Sequence, residues 1–337
     1  MIAKFRRKLT LKDVAKILHV TPATVSKALR DSSDISSEMK EKVKSKAKEL
    51  GYRPNLLARS LINNKSKILG IVLPDLRISF FSEAVRGMYE VANKKGYESI
   101  LLIHDENKDI ERKKLEFLSD IHADGILLDA TGHKSNYDIY KKLSEEGIKI
   151  VCWDRKIEGL GIKSVTIDDK QASYNLTTKL ICHGRRNILF LGPNTVIPVA
   201  RDRFAGYKQA IKENGIEFNP DLVMHSFMEY EDSYKRMTTL LKTKIKIDGV
   251  ISLGGLSTLG AGRAILESNR TIPKDIMLGE FGDNDVISRL GVPFYTVFQN
   301  PYMIGKNSVE LLIKLIEHPE QEDQIKDIII DSKVLQR

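Results

Sequence analysis

Thr10-Leu11-Lys12-Asp13-Val14-Ala15-Lys16-Ile17-Leu18, then His19-Val20, then Thr21-Pro22-Ala23-Thr24-Val25-Ser26-Lys27-Ala28-Leu29 reads as two short helical patterns on either side of a tight turn. Thr10 stands where it can cap the first helix. Asp13, three residues on, complements the exposed amides and the positive dipole end. Thr21 can cap the second helix, with Pro22 at the first helical position, where its missing N–H costs nothing. Leu11, Val14, Ala15 and Leu18 recur at helical spacing, as do Val25, Ala28 and Leu29, so the two helices can share one small core. Pro22, Ala23, Thr24, Ser26 and Lys27 are left on the open side of the second. This is the pattern of a helix-turn-helix with a polar, cationic recognition face. An ordinary helical hairpin is the plainer alternative.

Charge distribution argues against the hairpin. Residues 1–67 hold 17 of the 54 Lys+Arg but only 6 of the 45 Asp+Glu, whereas the other 270 residues are close to neutral. A positive excess confined to the first fifth of the chain is an electrostatic footprint for phosphates. Lys4, Arg6, Arg7 and Lys8 form a basic arm. A third helix is expected from Ser36, with Met39, Val43 and Ala47 inward and Gly51 as its left-handed cap. Its outer lysines supply diffuse attraction only.

Tyr52-Arg53-Pro54-Asn55-Leu56-Leu57-Ala58-Arg59-Ser60-Leu61 follows, and then the polar Asn63-Asn64-Lys65-Ser66-Lys67. With the D-V-A core, the T-V-S-K stretch and the G-Y-R-P-N lead, residues 10–61 resemble the head piece of the lactose-repressor (LacI/GalR) family of bacterial transcription regulators. The resemblance implies an operator-binding role for Thr10, Thr21, Pro22, Ala23, Thr24, Ser26 and Lys27, and for Asn55, Arg59 and Leu61 in a hinge helix. A helix of that length is below the ~12–15 residues at which isolated helices become marginal, so it should fold only with a second copy and DNA. In the family, paired hinge helices enter the minor groove and a leucine wedges into the base step. Leu61 matches that leucine, and Arg59 is placed to follow the groove.

Beyond the head, apolar runs of strand length alternate with helical patterns. The runs are 68–73, 99–103, 125–128, 149–153, 164–167, 187–191, 249–253 and 277–281. That rhythm implies parallel sheets covered by helices, and some 270 residues exceed one typical core. The resemblance extends through this region. It implies the periplasmic-binding-protein type I fold, two doubly wound parallel-sheet lobes joined by three crossings. The expected organisation is a helical DNA-binding domain at 1–54, a hinge and linker at 55–67, and an α/β effector-binding and dimerisation core at 68–337. Within the core, lobe one spans about 68–165 plus 299–325, and lobe two about 167–297 plus 327–337. A ligand of such a fold lies between the lobes, at the carboxyl ends of the strands.

Other classes find little support. No stretch is apolar enough to span a bilayer, and the charged N-terminus lacks a signal-peptide core, so a cytoplasmic protein is expected. Cys152 and Cys182 form no disulfide framework, and Cys182-His183 lacks further ligand spacing, so neither a metal nor a cofactor is expected. No G-x-x-x-x-G-K, G-x-G-x-x-G or G-x-S-x-G stands in a catalytic context, which leaves an enzyme reading without a motif. A solute-binding protein of the same core fold is the alternative, but it would lack the head.

The resemblance also implies interlobe contacts. Phe80 and Phe81 match an aromatic wall, Asp154 in Trp153-Asp154-Arg155 a strand-end aspartate that accepts ligand hydrogen bonds, and Arg203 (with Arg201 beside it) the arginine of the R-x-x-G-Y element. Gln299 matches a glutamine at the third crossing. Two departures stand out: Gly254-Gly255 replaces Asn-Asp, and Phe281-Gly282-Asp283 replaces F-D-D. With lobe-two carboxylates lost and arginines kept, two accounts stand. Either the site takes an anionic ligand such as a sugar acid or sugar phosphate, held by Arg155, Arg201 and Arg203, or no small effector binds. The expectation is a sequence-specific regulator, a repressor of carbohydrate-utilisation genes, acting as a dimer or dimer-based oligomer on an inverted repeat.

Overall fold

Asp13 donates its N–H to Thr10 Oγ1 at 3.3 Å while the Thr10 N–H donates to Asp13 Oδ2 at 2.8 Å, and this reciprocal cap starts α1 (Leu11–Leu18). His19, at φ 55°, closes α1 in the left-handed region. Thr21 Oγ1 accepts from the Thr24 N–H at 3.1 Å to start α2 (Pro22–Leu29), and Ser36 caps α3 (Ser37–Glu49) through the Met39 N–H. Val14, Ala15, Val25, Ala28 and Val43 are buried together, with Leu11, Leu18, Leu29, Met39 and Tyr52 packed around them. In this computed structural model residues 9–52, 65–193, 197–226, 229–282 and 287–337 are described. The chain divides into two units between Ser66 and Lys67. Asn55, Arg59 and Leu61 lie outside the described residues, as does Asp283.

The second unit is α/β. Its first sheet has the order β11-β5-β4-β3-β1-β2, built from β1 (Ile68–Leu73), β2 (Glu98–Ile103), β3 (Gly125–Leu128), β4 (Lys149–Trp153), β5 (Lys163–Thr166) and β11 (Ile328–Ile329). The second has the order β12-β10-β9-β8-β6-β7, from β6 (Ile188–Gly192), β7 (Val223–His225), β8 (Gly249–Ser252), β9 (Met277–Phe281), β10 (Tyr295–Phe298) and β12 (Lys333–Gln336). Every pairing is parallel except β10 with β12. The central strands are buried on both faces, which explains their unbroken apolar runs.

Helices α4 (Ser79–Lys94), α5 (Lys108–Asp120), α6 (Tyr137–Glu145) and α11 (Pro301–Glu317) cover the first sheet. The second is covered by α7 (Asp169–Cys182), α8 (Pro198–Glu213), α9 (Tyr230–Leu240) and α10 (Gly255–Glu267). Three helix pairs approach closely, each at a glycine. A Cβ on Gly305 would stand 1.9 Å from the Ala84 carbonyl oxygen, one on Gly206 2.0 Å from that of Lys170, and one on Gly260 2.3 Å from that of Tyr230. A single apolar cluster runs from Leu73, Phe81 and Trp153 in the first lobe to Leu176, Phe190 and Phe281 in the second.

Two expectations about the crossings need correction. Residues 327–330 belong with the first lobe, because Ile328–Ile329 pair with Val165–Thr166 and the Ile330 N–H donates to Thr166 O at 2.8 Å. Gln299 lies just after β10, at the second crossing in chain order rather than the third.

Candidate nucleic-acid interface and interlobe site

On the head, Thr21, Pro22, Ala23 and Lys27 are exposed, while Thr24 and Ser26 are half-buried along the same side of α2. Thr10 and Thr21 spend their hydroxyls on capping, and Thr21 Oγ1 also lies 2.9 Å from Thr24 Oγ1. This fixes the first turn of α2, the turn whose residues meet base edges in such heads. Lys27 lies on the open side of α2, and its ammonium donates to Asp34 Oδ2 at 2.5 Å, from the loop that follows the helix. The Lys27 hydrogen bond, with help from Ser32, draws the Asp34 carboxyl down to a pKa of about 2.

Between the lobes, Phe80 and Phe81 open α4 and are both buried. Their rings meet edge-on at 5.3 Å, and Phe81 meets Trp153 edge-on at 5.9 Å. Trp153 ends β4, and the next residue, Asp154, takes φ 61° while its N–H donates to Val165 O at 3.1 Å. A non-glycine residue in the left-handed region carries a local cost that the surrounding hydrogen bonds must offset.

Arg155 does not face the cleft as a free cation. It donates to both carboxylate oxygens of Glu106, at 2.6 and 2.9 Å, and to Ala130 O at 3.2 Å. Its Nε lies 3.2 Å from Asp129 Oδ1 and 3.9 Å from Asp154 Oδ2. Arg203 is likewise committed. It donates to Asp169 Oδ1 at 2.7 Å and Gln299 Oε1 at 3.0 Å, and its guanidinium lies 4.0 Å over the Phe281 ring. Arg201 is half-exposed at the outer edge and pairs with Glu158 of lobe one at 3.0 Å and with Asp202 at 3.0 Å. The expectation of a cationic cleft is therefore corrected. Three guanidinium groups face six carboxylates: Asp154 and Asp202 are sequence neighbours of their arginines, while Glu106, Asp129, Glu158 and Asp169 converge from elsewhere in the chain.

Burial dominates the titration of Asp129, Asp154 and Asp169. It raises the carboxyls of Asp129 and Asp154 above their usual range, outweighing Arg155, and for Asp154 Arg203 as well. Burial also lifts Asp169 to about 6, against the pull of Arg203. Beneath them, His104 Nε2 contacts Asp129 O at 2.8 Å. Glu111 accepts from the Thr131 N–H at 2.6 Å, from Asn136 and from the Tyr140 hydroxyl, which completes a polar floor under lobe one.

On the lobe-two side, Gly255 opens α10 with no side-chain cap, and Gly282 sits at φ +127°, a conformation that suits glycine. Glu280, next to Phe281, alternates with it along β9. It therefore shares a face with Leu278, away from the Arg203–Phe281 stack. The structure thus brings Arg203, Gln299 and Phe281 together and places Asp154 directly after Trp153, whose ring meets Phe81. Arg155 is placed in its carboxylate cage and Arg201 at the rim. Asp129 and Asp169 were missed by the sequence reading, although each directly follows or opens an element at the cleft end of its sheet.

Residues 10–55 match the model of bacterial regulatory proteins of the lacI family. Residues 66–337 match that of periplasmic binding proteins and the sugar-binding domain of the LacI family. The chain is 32% identical to the HTH-type transcriptional regulator RegA of Clostridium saccharobutylicum, covering 97% of this chain and 98% of RegA. It is 32% identical to a ribose operon repressor of Halalkalibacterium halodurans, over 91% of this chain and 90% of that protein. Its fold matches the lac repressor dimer bound to operator and the anti-inducer ONPF with a TM-score of 0.82 at 20% identity, covering 98% of each chain.

Proposed function

The chain belongs to the LacI family of bacterial regulatory proteins and is a DNA-binding transcriptional regulator, and from that premise we propose that it represses carbohydrate-utilisation genes as a two-fold dimer under the control of a neutral sugar. It acts through binding: Pro22, Ala23 and Lys27 read each half-site in the major groove, and the 55–61 hinge enters the minor groove between them. Ribose operon repressors among its relatives support the carbohydrate class.

The observation that carries the choice of a neutral ligand is the pairing of every interlobe arginine with a carboxylate. A phosphate or sugar acid placed there would find each guanidinium already held by a carboxylate, in a low-dielectric cleft where an uncompensated charge is costly. A hydroxylated ring instead finds acceptors on Asp154 and a donor–acceptor pair in Arg203 and Gln299. Ligand preference for one lobe arrangement then alters operator affinity, since a ligand indifferent to the two arrangements shifts nothing.

Calorimetry with ribose, glucose, gluconate and glucose 6-phosphate tests the ligand class. A neutral sugar is expected to bind at least about tenfold more tightly than its acidic or phosphorylated counterpart, a difference of about 1.4 kcal/mol. Tight binding of gluconate or glucose 6-phosphate with no neutral sugar bound would overturn it.

A further inference from the structure

The loop between α2 and α3, Arg30-Asp31-Ser32-Ser33-Asp34-Ile35, spends both of its carboxylates on lysines of the head. Asp34 holds Lys27 at 2.5 Å, and Asp31, at φ 57°, holds Lys44 at 2.5 Å. Arg30, next along, folds its Nε back onto Ser26 O at 3.2 Å. The cations flanking the end of α2 are thus neutralised or turned inward, in the segment of the chain with the largest positive excess. Lys27 and Asp34 are each about half exposed, at 46% and 49%. Exposed pairs of this kind contribute little to stability, so the fold gives no reason for a carboxylate at this position. Its location gives one, because Lys27 lies on the same side of α2 as Pro22, Ala23 and Thr24.

We propose that Asp34 is a specificity-determining residue: it keeps the Lys27 ammonium in a neutral pair, away from the phosphates of any duplex, while the two remaining ammonium donors stay free for a base pair with convergent acceptors. Guanine O6 and N7 are such acceptors, and lysine donation to them is among the commonest base-reading contacts. Phosphate attraction is the same for every sequence, so a lysine free to join it raises non-specific binding without adding discrimination. The inference rests on the reading of α2 as the recognition helix.

The test uses the full-length protein with two duplexes, one carrying its selected operator and one scrambled, titrated between about 50 and 200 mM salt. Asp34→Asn is expected to bind the scrambled duplex about fivefold more tightly, with operator affinity nearly unchanged, so that the specificity ratio falls. Its salt slope on the scrambled duplex should steepen by about 0.9, the contribution of one added phosphate contact. Asp34→Glu, which keeps the carboxylate, should restore the wild-type ratio. In a Lys27→Met background Asp34→Asn should change neither duplex. An equal gain on both duplexes, or the same gain without Lys27, would show plain removal of a negative charge and overturn the proposal. If Lys27→Met alone left the base preference intact, the recognition-helix reading itself would fail. Unchanged thermal melting of Asp34→Asn shows that the readouts report binding rather than folding.

Discussion

Arg203→Ala is expected to lower the stability of the core by about 3–5 kcal/mol, because it strands a buried carboxylate. Asp169 is buried, donates nothing to offset its charge, and has the Arg203 guanidinium at 2.7 Å as its counter-ion. Its carboxyl titrates near 6 in the folded protein, above the usual 3.8. For an acid with a raised folded pKa, the stabilising contribution is fully present below about 3.8 and is lost as pH rises through about 6. Removing Arg203 raises that pKa further, so the deficit should be smaller at pH 5 than at pH 8. Asp169→Asn in the same chain should recover most of the loss, a coupling that a double-mutant cycle reads directly. Denaturant unfolding that found Arg203→Ala as stable as the parent at pH 8 would refute this. The residue thus has a structural role alongside any contact with ligand, and a lost sugar response in Arg203→Ala would not by itself identify it as a ligand contact.

Gly305→Ala should cost about 3 kcal/mol, less the roughly 1 kcal/mol that alanine gains over glycine within a helix. The new methyl would stand 1.9 Å from the Ala84 carbonyl oxygen, a backbone atom, so α4 and α11 must move apart. Gly262 supplies the contrast. There a Cβ would be 2.5 Å from Leu290 Cδ1, the end of a flexible side chain, and Gly262→Ala should be close to neutral. Matching unfolding midpoints for the two variants would contradict the close-packed pairing of α4 with α11.

Much of the fold was legible because its signals are local. The eight apolar runs read from the sequence correspond to β1–β6, β8 and β9, and the Thr10, Thr21 and Ser36 caps sit where helix starts were expected. Four strands were missed. Val223–His225 and Ile328–Ile329 are too short to show a period, while Tyr295–Phe298 and Lys333–Gln336 owe their strand state to pairing with each other. The start of α5 is not legible in sequence, since Lys108-Asp109-Ile110-Glu111-Arg112 carries no apolar stripe and buries a carboxylate instead.

The candidate site divides along the same line. Arg203 and Gln299 were placed by resemblance, and the structure brings them within hydrogen-bond distance. The Arg155 cage was not legible. Glu106 lies 49 residues before its partner and Asp129 just after β3, and only the folded sheet brings them together. The expectation of a cationic cleft failed for that reason: four of the six counter-ions, Glu106, Asp129, Glu158 and Asp169, come from outside the arginine motifs. Lys27 repeats the pattern on a smaller scale, because Asp34 reaches it from the following loop rather than from α2.

Selection of bound duplexes from a random pool by the full-length protein, followed by footprinting, tests the central claim most directly. The account predicts an inverted repeat whose half-sites are protected in successive major grooves, with protection of the minor groove between them. In Lys27→Met the preference at one position of each half-site should relax, at a cost of about 1–3 kcal/mol in discrimination. Recovery of a single unrepeated half-site, or of no sequence preference at all, would contradict it.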